Sequence, residues 1–313
     1  MPSMFIQVLL LILGFVMLIK GADFFVDGAA GIASKAGLSQ LVIGLTIVAM
    51  GTSAPEAAVS ISSALKGNPD ISIGNVVGSN IVNILLILGV TALIIPLAVG
   101  RSTRRYEMPF VVLITVVLAF LGLTDNEISR IDALILLLLF VVYFIYLFRI
   151  SKTGDAPAEE APAKQRAVPL LLLMTAVGVV CIVLGSDIAV DAATEIATAL
   201  GLSTRVIGLT IVAIGTSLPE LVTCIIAAHK KNADIAIGNI VGSNIFNILF
   251  IIGITGMITP VPYQSSFFID SIICVGAALL LLLLCLNKQK KLLRWGGLIL
   301  LLCYTGYFVY LLK

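Results

Sequence analysis

The chain has 313 residues, 60% of them hydrophobic and 12% charged, and a mean hydropathy of +1.16. Soluble domains carry about 25% charged residues, so this composition excludes a water-soluble globular protein and predicts one solvated by a lipid bilayer. The net charge of +2 gives no sign of a nucleic-acid partner, and the placement of the charges says more than their sum.

Taken in chain order, Met1 to Met4 lack a basic region and run straight into apolar sequence, which reads as a first membrane span rather than a cleavable signal. Apolar runs of about 20 residues predict ten spans, at roughly 5–27, 38–64, 71–97, 107–124, 131–149, 168–190, 203–228, 235–259, 267–286 and 293–312. The stretch 151–167, with Gly154, Asp155, Pro157, Glu159, Glu160 and Pro162, cannot bury a core and reads as a linker. It separates a five-span block, 1–150, from a second, 168–313. With ten spans, alternate loops fall on alternate sides. One side collects Lys35, Arg101, Arg104, Arg105, Arg149, Lys152, Lys164, Arg166, Lys230, Lys231, Lys288, Lys290, Lys291 and Arg294; the other has only Lys66, Arg130, Arg205 and Lys313. The excess of basic residues makes the first side cytoplasmic. That predicts a multi-pass plasma-membrane protein with a cytoplasmic linker and both termini outside. The five cysteines lack metal-site or redox spacing and read as buried thiols. His229, beside Lys230 and Lys231, reads as a solvated loop residue, and Trp295 with Arg294 as an interfacial anchor.

The strongest signal is a self-match. Leu38–Pro96 aligns with Leu202–Pro260 at a constant offset of 164, without gaps, with about three positions in five identical. Each copy spans five helices, so the second enters the membrane from the opposite side, and the predicted fold is all-α with two inverted five-helix repeats. Secondary transporters commonly bind substrate between such repeats. What the copies share most tightly is polar. Thr52, Ser53 and Glu56 match Thr216, Ser217 and Glu220; Asn75, Ser79, Asn80 and Asn83 match Asn239, Ser243, Asn244 and Asn247. Packing alone does not select carboxylates in hydrocarbon, where a charge costs about 2.5–3.5 kcal/mol or more.

The spacings place these groups on common helix faces. Thr52–Glu56, Ser79–Asn83, Thr216–Glu220 and Ser243–Asn247 are each four apart. Pro55 and Pro219 cannot donate to the carbonyls of Gly51 and Gly215, which loosens the helix and frees backbone oxygens. Carboxylates, hydroxyls, carboxamides and carbonyls make a hard-oxygen cage suited to Ca²⁺ and Na⁺. Lys20, Asp23 and Asp27, and the repeat partners Asp187 and Asp191, read as helix-end residues reaching the interface; Asp70 and Asp234 read as helix caps.

At these residues the sequence resembles the sodium/calcium exchanger family, of prokaryotic type, within the cation/Ca²⁺ antiporter superfamily. The resemblance covers the whole chain and rests on G-T-S-x-P-E and G-S-N-I-x-N, each present twice and in order. It implies an ion site built by broken helices in spans two, three, seven and eight, with spans one and six sliding past them to alternate access. It implies Glu56 and Glu220 as shared Ca²⁺ and Na⁺ ligands, and Thr52 and Thr216 as donors of side-chain and backbone oxygens. Ser53, Ser79, Ser217 and Ser243 would complete Na⁺ sites with the carbonyls of Ala49 and Ala213, and Asn83 and Asn247 would line the centre. Potassium-dependent members carry Asp where this chain has Asn247, which implies K⁺ independence. The G-N-x-x-E motif of the calcium/proton branch is absent, which implies Na⁺ as counter-ion. Exchange of about three Na⁺ for one Ca²⁺ would move net charge across the membrane potential. No cofactor and no catalytic residue is implied, and a site complete within one chain makes a monomer the default. The competing readings are a Ca²⁺/H⁺ antiporter using the same cage, a passive cation channel, and a membrane metalloenzyme, which would need a base or nucleophile beside the cage, where the chain offers no histidine.

Overall fold

A computed structural model describes residues 4–153, 166–200, 215 and 217–311. Among these the protein is helical apart from four two-residue strands. The first span is α1, Met4–Ala36. The second is composite. Ser39 Oγ accepts from Val42 N–H at 3.2 Å to start it, α2 (Gln40–Ile43) passes into a π-helical turn at Gly44–Val48, and α3 (Ala49–Thr52) ends at Ser53. There the chain bends by 48° into α4, Ala54–Leu65. The bend falls where Pro55 leaves the Gly51 carbonyl without its helical donor.

The third span joins α5 (Asp70–Ile81), a π turn at Val82–Ile87, and α6 (Leu88–Ile94). After β1 (Leu97–Ala98), a π turn at Thr103–Glu107 leads into α7 (Met108–Asp125). Then come β2 (Glu127–Ile128), α8 (Arg130–Thr153) and α9 (Val168–Ala199). The second half of the predicted seventh span is α10, Leu218–His229; its first half lies outside the described residues. The eighth span joins α11 (Ala233–Phe246), a π turn at Asn247–Ile251, and α12 (Ile252–Ile258). Strand β3 (Val261–Pro262), α13 (Ser265–Cys285), β4 (Lys291–Leu292) and α14 (Arg294–Leu311) complete the fold. Among the described residues eight segments are long and apolar enough to cross a membrane, nine when the bent second span is included.

The expectation of breaks in spans three and eight is corrected. Both run through without a break, and neither contains a proline that would remove a donor. Each widens by one residue instead: Leu88 N–H donates to Asn83 O, and Ile252 N–H to Asn247 O, five positions back. The capping expectation also changes. Asp70 and Asp234 lie inside the first turns of α5 and α11, behind Pro69 and Asn232, and not at the cap positions.

The duplication extends to the strands. Leu97 pairs with Leu292 and Ala98 with Lys291, while Val261 pairs with Ile128 and Pro262 with Glu127. Adding 164 to the first copy's partners reproduces the second ribbon, so two small antiparallel ribbons tie the copies together reciprocally. One ribbon is flanked by Arg101, Arg104, Arg105, Lys290 and Arg294; the other by Asp125, Arg130 and Asp132.

Burial separates inner from outer helices. The eighth span is 94% buried and the third 72%, against 22% for the first and 17% for the last. The outer helices turn Phe5, Ile131 and Phe148 outward at 71%, 73% and 63% exposure, a surface that lipid solvates and water does not. Helices α1 and α9 pack backbone to backbone. A Cβ on Gly14 would lie 2.8 Å from Ala189 N and Gly185 O, and one on Gly178 would lie 2.7 Å from Phe25 N. Small residues permit such close approach in a membrane.

Candidate cation site

The polar residues shared by the two copies meet in the middle of the fold. Glu56 on α4 and Glu220 on α10 are both fully buried, each directly after its Thr-Ser-x-Pro segment, and they are electrostatic neighbours. Ser53 Oγ donates to Glu220 Oε1 at 2.8 Å, so a serine of the first copy serves the carboxylate of the second. Its counterpart Ser217, with φ −93° and ψ 7° against −84° and 10° at Ser53, adjoins Glu56. Thr52 Oγ1 lies 3.0 Å from Asn239 Oδ1 and 3.3 Å from Ala49 O. The Ala49 carbonyl also receives Ser53 N–H at 3.0 Å and Ser243 Oγ at 3.4 Å. It gathers donors from both copies rather than standing free. Ser79 is buried one turn before Asn83.

Two residues that the sequence reading did not assign to the site organise its centre. Asn83 Nδ2 donates to Asn244 Oδ1 at 3.1 Å, and Asn247 Nδ2 donates to Asn80 Oδ1 at 3.1 Å. The two bonds are the same bond at an offset of 164, exchanged between copies. Asn80 Nδ2 also reaches Asn244 O at 3.3 Å. Each pairing fixes an amide so that its nitrogen is used and its oxygen is left over. The π turns that begin at Val82 and Asn247 set these amides facing inward. The signal was visible as the shared Asn80 and Asn244; their partners lie on the other copy, which spacing within one helix does not show. Asn75 similarly steadies α4, donating to Glu56 O at 3.1 Å and Ser60 Oγ at 2.9 Å.

What remains is mainly unpartnered oxygen, with Asn239 Nδ2 an unpaired donor beside it. Both Glu56 carboxylate oxygens, Glu220 Oε2, Asn83 Oδ1, Asn247 Oδ1 and Ser217 Oγ are buried with no hydrogen-bond partner. No lysine or arginine forms an ion pair with either glutamate among the described residues. Leaving such groups uncompensated costs several kcal/mol each. A hard cation completes them, because it offers positive charge to several oxygens at once and tolerates irregular geometry if it is as large as Ca²⁺. Of the predicted site residues, Glu56, Glu220, Thr52, Ser53, Ser217, Ser243, Asn83, Asn247 and Ala49 are brought together, with Ser79 alongside. Thr216 and Ala213 lie outside the described residues.

The amide pairs give a first prediction. Asn244→Leu removes the acceptor that holds Asn83, and binding of Ca²⁺ to purified protein is expected to weaken at least about tenfold, the usual scale for groups that orient ligands. Titration calorimetry that shows an unchanged affinity would contradict the orienting role.

Two acidic groups do not belong to this cluster. Asp23 and Asp27 are ion-paired with Lys230 rather than reaching the interface alone. Glu107, at the start of α7, is also buried and accepts at Oε1 from Ser102 and Tyr146. The sequence reading gave it no role; its only sequence signal is a carboxylate at the mouth of an apolar run.

Comparison with known proteins follows the same division into two copies. The sodium/calcium exchanger protein family profile matches residues 6–149 and again 170–313. Sodium/calcium exchanger MaX1 of Methanosarcina acetivorans is 33% identical over 98% of both chains. CaxA of Alkalimonas amylolytica, which carries an antiporter's name, is 41% identical over 97% of this chain and 98% of its own. Among solved structures, the sodium-calcium exchanger NCX_Mj soaked with zero Na⁺ and Ca²⁺ superposes with a TM-score of 0.86 at 33% identity, covering 99% of this chain and 100% of that one. The same exchanger soaked with 10 mM Na⁺ and 10 mM Sr²⁺ gives 0.85 at 32% identity, covering 98% and 99%.

Proposed function

The chain belongs to the sodium/calcium exchanger family, and from that premise we propose that it is a secondary antiporter exchanging Na⁺ for Ca²⁺ by alternating access, through ten spans in two inverted halves. One observation carries the reading: two fully buried glutamates face each other among carboxamide and hydroxyl oxygens that have no donor. Glu56 and Glu220 hold Ca²⁺ between them. Thr52, Ser53, Ser79, Ser217, Ser243 and, by the repeat, Thr216 supply the further oxygens that Na⁺ uses, with the carbonyls of Ala49 and Ala213 at the margins. Asn83 and Asn247 present their free Oδ1 atoms to the centre.

Two ionised glutamates carry about two negative charges, which one Ca²⁺ balances. About three Na⁺ in its place leave the loaded site with about one net positive charge, and a 100 mV inside-negative potential contributes about 2.3 kcal/mol per charge moved. Exchange is then electrogenic, and an inside-negative potential drives Na⁺ in and Ca²⁺ out. The basic ribbon loops and the turn at Lys230 lie on the cytoplasmic side by the positive-inside rule, with both termini outside. Independence from K⁺ is supported by the engagement of Asn247. Its Nδ2 donates to Asn80 Oδ1, and an aspartate there would set oxygen against oxygen.

The test is ⁴⁵Ca²⁺ uptake into proteoliposomes loaded with Na⁺ and diluted into medium free of Na⁺ and K⁺. Uptake is expected to need the outward Na⁺ gradient, to proceed without K⁺, and to accelerate when a K⁺-free ionophore system sets the interior positive. Uptake driven by a proton gradient alone would assign a Ca²⁺/H⁺ antiporter instead, and uptake blind to membrane potential would remove the stoichiometry.

A further inference from the structure

We propose that Lys230 with Asp23 and Asp27, and Lys66 with Asp187 and Asp191, form two repeat-related ionic latches that close alternately with the side to which the cation site opens. The inference rests on the alternating-access reading above. Lys230 sits in the turn between α10 and α11. Its Nζ lies 2.7 Å from Asp23 Oδ1 and 2.6 Å from Asp27 Oδ1, and it donates to Asp23 O at 2.9 Å. The two aspartates are four apart, so one face of α1 grips the lysine from both sides. Arg166, ahead of α9, adds a weaker contact to Asp27 Oδ2 at 3.8 Å.

The duplication maps the lysine and both aspartates of this cluster onto a second set. At the offset of 164, Lys66 in the turn between α4 and α5 corresponds to Lys230, and Asp187 and Asp191 on α9 correspond to Asp23 and Asp27 on α1. In this structure Lys66, Asp187 and Asp191 are all exposed, and none of them forms an ion pair among the described residues. The same parts are therefore engaged on one face of the protein and apart on the other. The lysine and the two aspartates are the same in both copies, so these three charges alone do not account for the difference, and relative position enters. Helices α1 and α9 are joined by glycine-to-backbone contacts along their length, so they shift as a pair, and a shift that parts Lys230 from α1 brings α9 towards Lys66.

The latches are unequal. The position matching Arg166 is Pro2, so the Lys66 latch closes with one base on two acids, whereas the Lys230 latch is charge-balanced. The resting protein then favours the state seen here, with the cytoplasmic latch closed and access from outside.

The full chain, reconstituted with known sidedness, tests this through apparent Ca²⁺ affinities at each face. Lys230→Gln is expected to strengthen cytoplasmic Ca²⁺ affinity and weaken external affinity, each by about fivefold, the upper range for a partly exposed ion pair. Lys66→Gln is expected to do the reverse, and Lys230→Arg to retain wild-type values. Shifts in the same direction for both glutamine variants, or no shift, would overturn the latches. If the wild type carries no Ca²⁺, the transport reading fails separately. Hydrogen exchange then decides the latches: faster exchange at 229–232 and slower exchange at 66–69 in Lys230→Gln supports them, and unchanged exchange rejects them.

Discussion

Glu56→Gln abolishes Na⁺-driven Ca²⁺ uptake, with a loss of at least about a hundredfold, while the variant still folds. The substitution removes one of the two charges that compensate a divalent cation in a site from which water is excluded, and breaking such a buried charge pairing costs about 3–5 kcal/mol. Folding survives because neither Glu56 oxygen accepts a protein hydrogen bond, so no native contact is lost. The new amide can donate to Ser217 Oγ, itself unpartnered. Glu220→Gln is expected to match it in transport but to fold less stably, because Glu220 Oε1 receives Ser53 Oγ at 2.8 Å. Thermal unfolding with and without Ca²⁺ separates the effects. Wild type gains stability in proportion to bound ligand, and both variants are expected to lose that gain. Near-normal uptake in both variants would sink the site assignment.

Gly242→Ala is the second large effect, and it acts without touching a charge. A Cβ at Gly242 would lie 2.7 Å from Leu45 O, 2.8 Å from Leu45 Cα and 2.8 Å from Ala49 Cβ. Two of these are backbone atoms of the second span, so no side chain can swing aside and the helices must part. The parting acts on the seam where Ser243 Oγ reaches Ala49 O at 3.4 Å and Thr52 reaches Asn239 at 3.0 Å. Misplacing ligands by a fraction of an ångström is expected to weaken Ca²⁺ binding by about tenfold or more. Gly276→Ala, at a glycine where a Cβ meets nothing within 4 Å, is the control and is expected to bind like wild type. Equal affinities in the two variants would show that the close approach of α11 to the second span does not position the site.

Much of this arrangement was legible before any coordinates. Span positions followed from hydropathy, because a bilayer forces every apolar run of sufficient length to declare itself. The polar residues that meet in the middle of the fold followed from duplication, since polar groups that recur at matching places in two apolar copies stand out from packing residues. The legible part ends where partners lie far apart in the chain. Asp23 looked like a residue reaching for the interface because its lysine is 207 positions away. The Asn80–Asn247 and Asn83–Asn244 bonds join the copies, and neither helix alone contains the information. The π turns at Val82–Ile87 and Asn247–Ile251 have no residue signature of their own. Nothing in the shared polar pattern distinguishes a widened turn from a broken one, which is why breaks were expected where the helices instead widen.

The reciprocal pairing of strands has a genetic implication. Both ribbons, both asparagine bonds, the Ser53–Glu220 bond and the α1–α9 packing run between the copies. The recognition surface that holds the halves together is thus written into each half. Two polypeptides, 1–153 and 166–313, expressed from separate open reading frames should find each other and reassemble. An ancestor encoded by a single half-length gene would have worked as a pair of identical subunits, with gene fusion coming afterwards.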